Sequence, residues 1–212
     1  MNPRPRALLI HGMGRTPLSM AFLGIRLRLA GIQVTQFGYS AAVDTHAHCL
    51  DRLEARIREA FPEGAYILVG HSLGTVLIRS VLPRLEDRPP TACFFLAPPS
   101  RSPRLARSLA SNPIYRALTG EMGQLLADPA FMDALPLPTV PVTVFAGDRG
   151  YQGRFSPFRH EPNDGIVAVS EAQLGGGRPL VRIPVLHTFI MNSRQVAEAI
   201  IRQVTAIPEA RP

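Results

Sequence analysis

The pentapeptide Gly70-His71-Ser72-Leu73-Gly74 stands between two segments of opposite character. Before it, Ala65–Gly70 is short and apolar throughout, as a strand buried on both faces would be. After it, Leu73–Leu85 carries apolar residues nearly all round a helical period, which predicts a central helix. A chain that passes directly from buried strand to helix must turn sharply. Glycine on each side removes the Cβ atoms that would collide there. The serine is lifted clear of the strand at the helix start, where backbone N–H groups favour a developing negative charge. With 17 glycines and 11 serines in 212 residues, chance supplies roughly 0.07 such G-x-S-x-G matches.

Around this point strands and helices alternate. Strands are expected at Arg6–Ile10, Ile32–Tyr39, Ala65–Gly70, Thr91–Ala97, Val140–Gly147 and Pro179–Val185. Helices are expected at Leu18–Ala30, stopped by Gly31, at Leu73–Leu85, and at Asn192–Ala206. Another, capped by Asp44, carries Ala47, Leu50, Leu53, Ile57 and Ala60 at gaps of three and four. Between residues 98 and 138 the rhythm breaks into short helical pieces at 103–110, 113–119 and 121–127. Residues 148–163 form a long irregular excursion. Six strands alternating with helices imply an α/β fold with a mostly parallel sheet covered on both faces. No linker or repeat divides the chain, so residues 1–212 are read as one domain. The Pro- and Arg-bearing ends, 1–5 and 208–212, are expected to be loose.

Composition closes several alternatives. Hydrophobic residues make up 46% and charged residues 18%, which excludes an intrinsically disordered chain. No apolar run approaches the 20 or so residues that cross a bilayer, and the N-terminus lacks the apolar stretch of a secretory signal. The expectation is a soluble, cytoplasmic protein. The net charge of +7 comes entirely from arginine, spread along the chain without nucleic-acid motifs, so no nucleic-acid partner is expected. Cys49 and Cys93 are far apart, and Cys93 lies within an apolar run, so no disulfide framework is expected. His46 and His48 lie near Cys49 and Asp44, but a spacing of two puts their rings on different helix faces, so no metal is expected.

The segments ALLIHGMG at 7–14, GHSLG at 70–74, NDGIVAVS at 163–170 and LHTFIM at 186–191 together resemble the α/β-hydrolases. The resemblance is to small lipase and esterase-like members with little or no cap domain, and it spans nearly the whole chain. It implies the α/β-hydrolase fold, with 98–138 as a short lid-like insertion. It also implies a serine hydrolase that cleaves carboxylic esters through an acyl-enzyme, without a cofactor. Ser72 would be the nucleophile and His187, after the last strand, the general base. The acid is open between two residues. Asp164 is favoured because the residues after it also match the family's pattern. Asp148, which ends the strand VTVFAGD, is the other. The backbone N–H groups of Met13 and Leu73 would form the oxyanion hole. His71 is read as packing beside Ser72, and His160 as a loop residue.

The same machinery serves thioesters, amides and acyl transfer, and related folds include non-catalytic binding proteins. The apolar residues of 98–138, among them Leu105, Ile114, Leu118, Met122, Leu126 and Met132, either wall an acyl pocket or cover the sheet. Arg101, Arg104 and Arg107 beside them are placed to make transient contact with an anionic membrane surface. Acyl length, physiological substrate and oligomeric state are not encoded in these patterns.

Overall fold

A computed structural model describes residues 4–206. The tails 1–3 and 207–212 lie outside it, and with them most of the ends expected to be loose. Pro5 is described and is fastened, its carbonyl accepting the Gln33 N–H at 2.8 Å.

Six strands form one sheet: β1 (Arg6–Ile10), β2 (Gln33–Phe37), β3 (Ile67–His71), β4 (Ala92–Leu96), β5 (Val142–Gly147) and β6 (Leu180–Ile183). Their order is β2-β1-β3-β4-β5-β6, and every pairing is parallel. The central strands β3, β4 and β5 are buried at every residue, which explains why they are apolar apart from His71 and Thr143. The edge strands β2 and β6 are partly exposed and mix polar with apolar residues.

Alternate side chains supply two cores. Leu8, Ile10, Leu68, Cys93, Phe95 and Val144 face one layer, which includes α2 (His46–Ala60) and α3 (Leu73–Val81). Ala7, Leu9, Val69, Phe94, Leu96 and Phe145 face the other, formed by α1 (Ala21–Leu29) and α8 (Arg194–Ala206). The period of two along each strand thus places one helical layer on each face. No described helix is long and apolar enough to cross a membrane.

Several boundaries differ from expectation for identifiable reasons. Thr45, not Asp44, caps α2, its side chain accepting the His48 N–H. Asp44 instead accepts the Ser40 N–H and pairs with Arg52. The segment 98–138 carries α4 (Arg104–Leu109), α5 (Pro113–Ala127) and α6 (Pro129–Ala134). α5 spans two of the expected pieces because they join across a kink at Gly120, whose φ is 53°. α6 was not expected as a helix. Asp128 caps it by accepting the Ala130 N–H. Met122, Leu126 and Met132 belong to the core on the α2–α3 side, so they cover the sheet. Ile114 and Leu118 remain exposed.

Arg79 ties this region to α3. Its guanidinium is buried and donates to the carbonyls of Ser100, Leu135 and Pro136. Burial, helped by the nearby Arg178 charge and opposed by Asp133, lowers its pKa to about 10.

Candidate active site

The chain lays β1, then β2 on one side of it, then β3 on the other. The connections leaving the C-terminal ends of β1 and β3 therefore run to opposite sides, which makes this the switch point of the sheet, where open parallel sheets place their ligands. The β1 loop holds His11–Gly14, and the β3 turn holds His71–Gly74.

The two loops are in close contact. A Cβ on Gly74 would sit 2.5 Å from the Ile10 carbonyl oxygen and 2.7 Å from that of His11. A Cβ on Gly12 would lie 2.7 Å from His71 Nδ1 and 3.1 Å from Ser72 Cβ. Glycine is required at both positions by lack of space.

Ser72 itself has φ 50° and ψ −120°, a conformation sparsely populated by non-glycine residues. It is held there by its own N–H bonding the Leu96 carbonyl and by its carbonyl accepting the Thr75 N–H and hydroxyl. The N–H groups of Met13 and Leu73 donate to no protein acceptor among the described residues. Leu73 is the first residue of α3, where helical geometry leaves N–H groups free.

His11 anchors the β1 loop. Tyr39 N–H donates to its Nε2 at 3.3 Å, which leaves Nδ1 to donate to the Gly12 carbonyl at 2.9 Å. The ring stacks on Tyr39 at 4.4 Å, and the Tyr39 hydroxyl donates to the His11 carbonyl. Burial lowers the His11 pKa and keeps the ring neutral.

His187 begins a 3-10 turn, His187–Asn192, between β6 and α8. Its Nδ1–H donates to Asp164 Oδ2 at 2.7 Å, and its backbone N–H donates to the Asp164 carbonyl at 2.9 Å. The other carboxylate oxygen of Asp164 accepts the N–H groups of Ile166 and Val167 at 2.9 and 2.7 Å. Both residues are buried, Asp164 being 2% and His187 7% exposed. No hydrogen bond joins the His187 ring to Ser72 Oγ among the described residues. Such contacts are often long without substrate and tighten when it binds.

Asp148 lies elsewhere in this network. It pairs with Arg182 on the edge strand β6 at 3.0 Å. The excursion that separates the two acids closes on itself. Gly150 N–H donates to the Asn163 carbonyl at 2.7 Å. The fully buried Asn163 side chain bonds the Tyr151 and Glu161 carbonyls and the Gly165 N–H. The chain thereby returns to its departure point, and a Cβ on Gly147, the last residue of β5, would meet Asp164 Cβ at 2.7 Å.

Two contributors escape a sequence reading. His71 does more than pack: its Nε2–H donates to the His187 carbonyl at 3.1 Å. Complete burial, reinforced by His187, drives its pKa well below the usual value, and its Nδ1 has no partner among the described residues. Glu171, on the short helix α7 (Val169–Ala172), accepts the Ala168 and Arg104 N–H groups and pairs with the Arg104 side chain. This pins the segment that follows Asp164. An acidic residue six positions after the Asn-Asp-Gly turn, N-D-G-I-V-A-V-S-E, is its faint sequence trace.

His46 is hydrogen-bonded to Ser80 at 3.0 Å and set edge-on to Phe131, while His48 lies beside Asp44. Of two cavities described, one lies around Arg79, Ser100 and Leu135 and the other beside Phe37 and Arg52. Neither is lined by Ser72, Asp164 or His187.

The parallel sheet carries a strained serine between β3 and α3, and a buried His–Asp pair beyond β5 and β6. The family model described as "Alpha/beta hydrolase family" matches residues 7–208, and the chain belongs to that family. Among solved structures it is similar to the mature lipase of Bacillus licheniformis, with TM-score 0.71 and 16% identity over 96% of this chain and 93% of that one. It is also similar to the NocB thioesterase domain from the nocardicin cluster, with TM-score 0.65 and 16% identity over 96% and 95%. A third likeness is to the RedJ thioesterase of Streptomyces coelicolor, with TM-score 0.62 and 16% identity over 95% and 85%. At such identities these likenesses carry the fold alone. No curated protein sequence matches.

Proposed function

We propose that the protein is a serine hydrolase of carboxylic esters. The observation that carries this reading is the 2.7 Å bond from His187 Nδ1–H to the buried Asp164 carboxylate, in a sheet that also presents Ser72 in a strained turn. With its proton fixed on Nδ1, the ring has a free lone pair on Nε2.

Ser72 Oγ gives its proton to His187 Nε2 as it attacks the ester carbonyl. The tetrahedral oxyanion accepts the N–H groups of Met13 and Leu73, whose freedom from protein acceptors supports this role. Asp164 stabilises the imidazolium and holds the ring in place. The imidazolium then protonates the departing alkoxide, leaving an acyl group on Ser72. Water repeats the sequence: His187 takes its proton, hydroxide adds to the acyl carbon, and Ser72 leaves with the proton returned. The products are the acid and the alcohol.

A thioester differs only in its leaving group, so this machinery fits it equally, and two of the similar structures bear the name thioesterase. The test is hydrolysis of p-nitrophenyl esters from acetate to palmitate and of matched acyl thioesters, wild type against Ser72→Ala, with fluorophosphonate labelling in parallel. Ester turnover that falls by about 10³-fold or more in the variant is expected. Labelling at Ser72 with turnover of thioesters alone would move the substrate class. Absence of both labelling and turnover would overturn the proposal in favour of a binding protein.

A further inference from the structure

Helix α1 and the 3-10 turn before it, Pro17–Met20, are apolar on both faces. Met20, Leu23 and Leu27 enter the core. Leu18, Phe22, Ile25 and Leu29 are 80%, 62%, 51% and 84% exposed. Their spacing of four, three and four sets them in one stripe along the outer side. The outer face of a surface helix is ordinarily polar, and a contiguous apolar surface of this kind marks an interaction site. The turn that begins with His187 packs against both α1 and Pro17–Met20, and it adds Phe189, 53% exposed. One end of the stripe therefore adjoins the candidate active site.

Charge selects the partner. No Asp or Glu precedes Asp44 in the sequence, while Arg4, Arg6, Arg15, Arg26 and Arg28 do. Arg15 is exposed. Arg26 and Arg28 donate to the carbonyls of Asn192 and Val34, and neither forms a direct ion pair among the described residues, although Arg26 is near enough to Glu198 to help lower its pKa. The acid on the neighbouring α8, Glu198, is engaged by Arg194. In the other basic cluster Arg104 is already paired with Glu161 and Glu171, while Arg101 is exposed and Arg107 donates to the Ser102 carbonyl.

We propose that this stripe docks the protein on an anionic lipid bilayer. Leu18, Phe22, Ile25, Leu29 and Phe189 enter the acyl boundary, and Arg15, Arg26 and Arg28 meet the lipid phosphates. A second copy of the chain is the less favourable occupant. A two-fold pairing of these stripes would juxtapose two sets of the same arginines. Combined with the proposed hydrolase activity, docking would orient the site toward esters that partition into membranes. Only that consequence rests on the hydrolase reading.

The test is flotation with vesicles of phosphatidylcholine alone and of phosphatidylcholine mixed with phosphatidylglycerol, at low and high salt. Wild type should float with the anionic vesicles and less with the neutral ones, the difference shrinking in high salt. Phe22→Glu and Leu29→Glu should each lower partition by about tenfold while leaving the melting curve and turnover of a water-soluble ester unchanged. Ser72→Ala should float as wild type does, so loss of the hydrolase reading would leave this result standing. Failure of wild type to float, or variants floating as wild type, would overturn the proposal. So would a dimer, seen by light scattering, that Phe22→Glu dissociates, since the face would then belong to a second copy.

Discussion

Asp164→Asn should silence the proposed reaction without unfolding the protein. The two backbone donors of Ile166 and Val167, at 2.9 and 2.7 Å, both point at Oδ1. They hold the carbonyl oxygen of the new amide in that position. The amide nitrogen then replaces Oδ2, 2.7 Å from His187 Nδ1, where two N–H groups would face each other. The imidazole relieves this by moving its proton to Nε2. That nitrogen no longer has a lone pair to take the Ser72 proton. A wrong tautomer of this kind costs about 10⁴ in kcat, equivalent to ~5.5 kcal/mol in the barrier. The swap preserves volume and two of three hydrogen bonds, so the loss of stability should be about 1–2 kcal/mol. Steady-state kinetics on the best ester, beside a thermal melt, reads both quantities. Asp148→Asn is the control. Its ion pair with the half-exposed Arg182 is worth at most about 1 kcal/mol, and kcat should stay within about threefold. Retained activity in Asp164→Asn with collapse in Asp148→Asn would refute the assignment of the acid.

Three further outcomes follow from the same geometry. Gly74→Ala puts a Cβ 2.5 Å from a backbone oxygen of β1, and should lower stability by about 2–4 kcal/mol in urea unfolding. Asn163→Ala removes three bonds that close the 150–163 excursion, and should reduce kcat/KM by about tenfold or more through misplaced Asp164, while Ser72 still labels. Acid should destabilise the fold through His11 and His71, whose pKa values burial lowers from 6.5. The unfolded chain then binds more protons than the native one, so their contribution is complete above about pH 6.5 and is lost as pH falls through the lowered native values. Each adds up to ~1.4 kcal/mol per pH unit, and His71→Gln should show a shallower acid slope in unfolding midpoints.

Local chemistry made much of this architecture legible. Predominantly apolar runs marked β3, β4 and β5 because a parallel sheet covered on both faces leaves those strands no solvent side. Glycines bracketed Ser72 because there is no room for a Cβ at Gly74. What stayed hidden depends on contacts between distant residues. Nothing adjacent to His71 indicates that its ring reaches the His187 carbonyl, 116 positions on. Asp148 and Asp164 were comparable by position along the chain. They separate in space because Asn163 fastens to Gly165 and Tyr151, while Asp148 turns to an arginine on the neighbouring strand. α6 was obscured by the proline that opens it, which reads as a breaker although the first turn of a helix accepts one.

The clasp between Gly150 and Asn163 separates the position of Asp164 from the length of chain leading to it. Tyr151 and Glu161 both bond the same Asn163 amide, so the stretch between them is tied at these ends, with buried Phe158 under the Arg104 guanidinium as a further hold. At the tip, Phe155 is 85% exposed, and Gly153 N–H bonds the Arg159 carbonyl to form a smaller inner closure. Because the cost of closing a loop grows only logarithmically with its length, residues inserted near Arg154 would lengthen the tip at small expense. The excursion is thus a place where new sequence, such as an epitope, a fluorophore-bearing peptide or an evolved recognition element, can be hung beside the candidate active site without re-aiming Asp164.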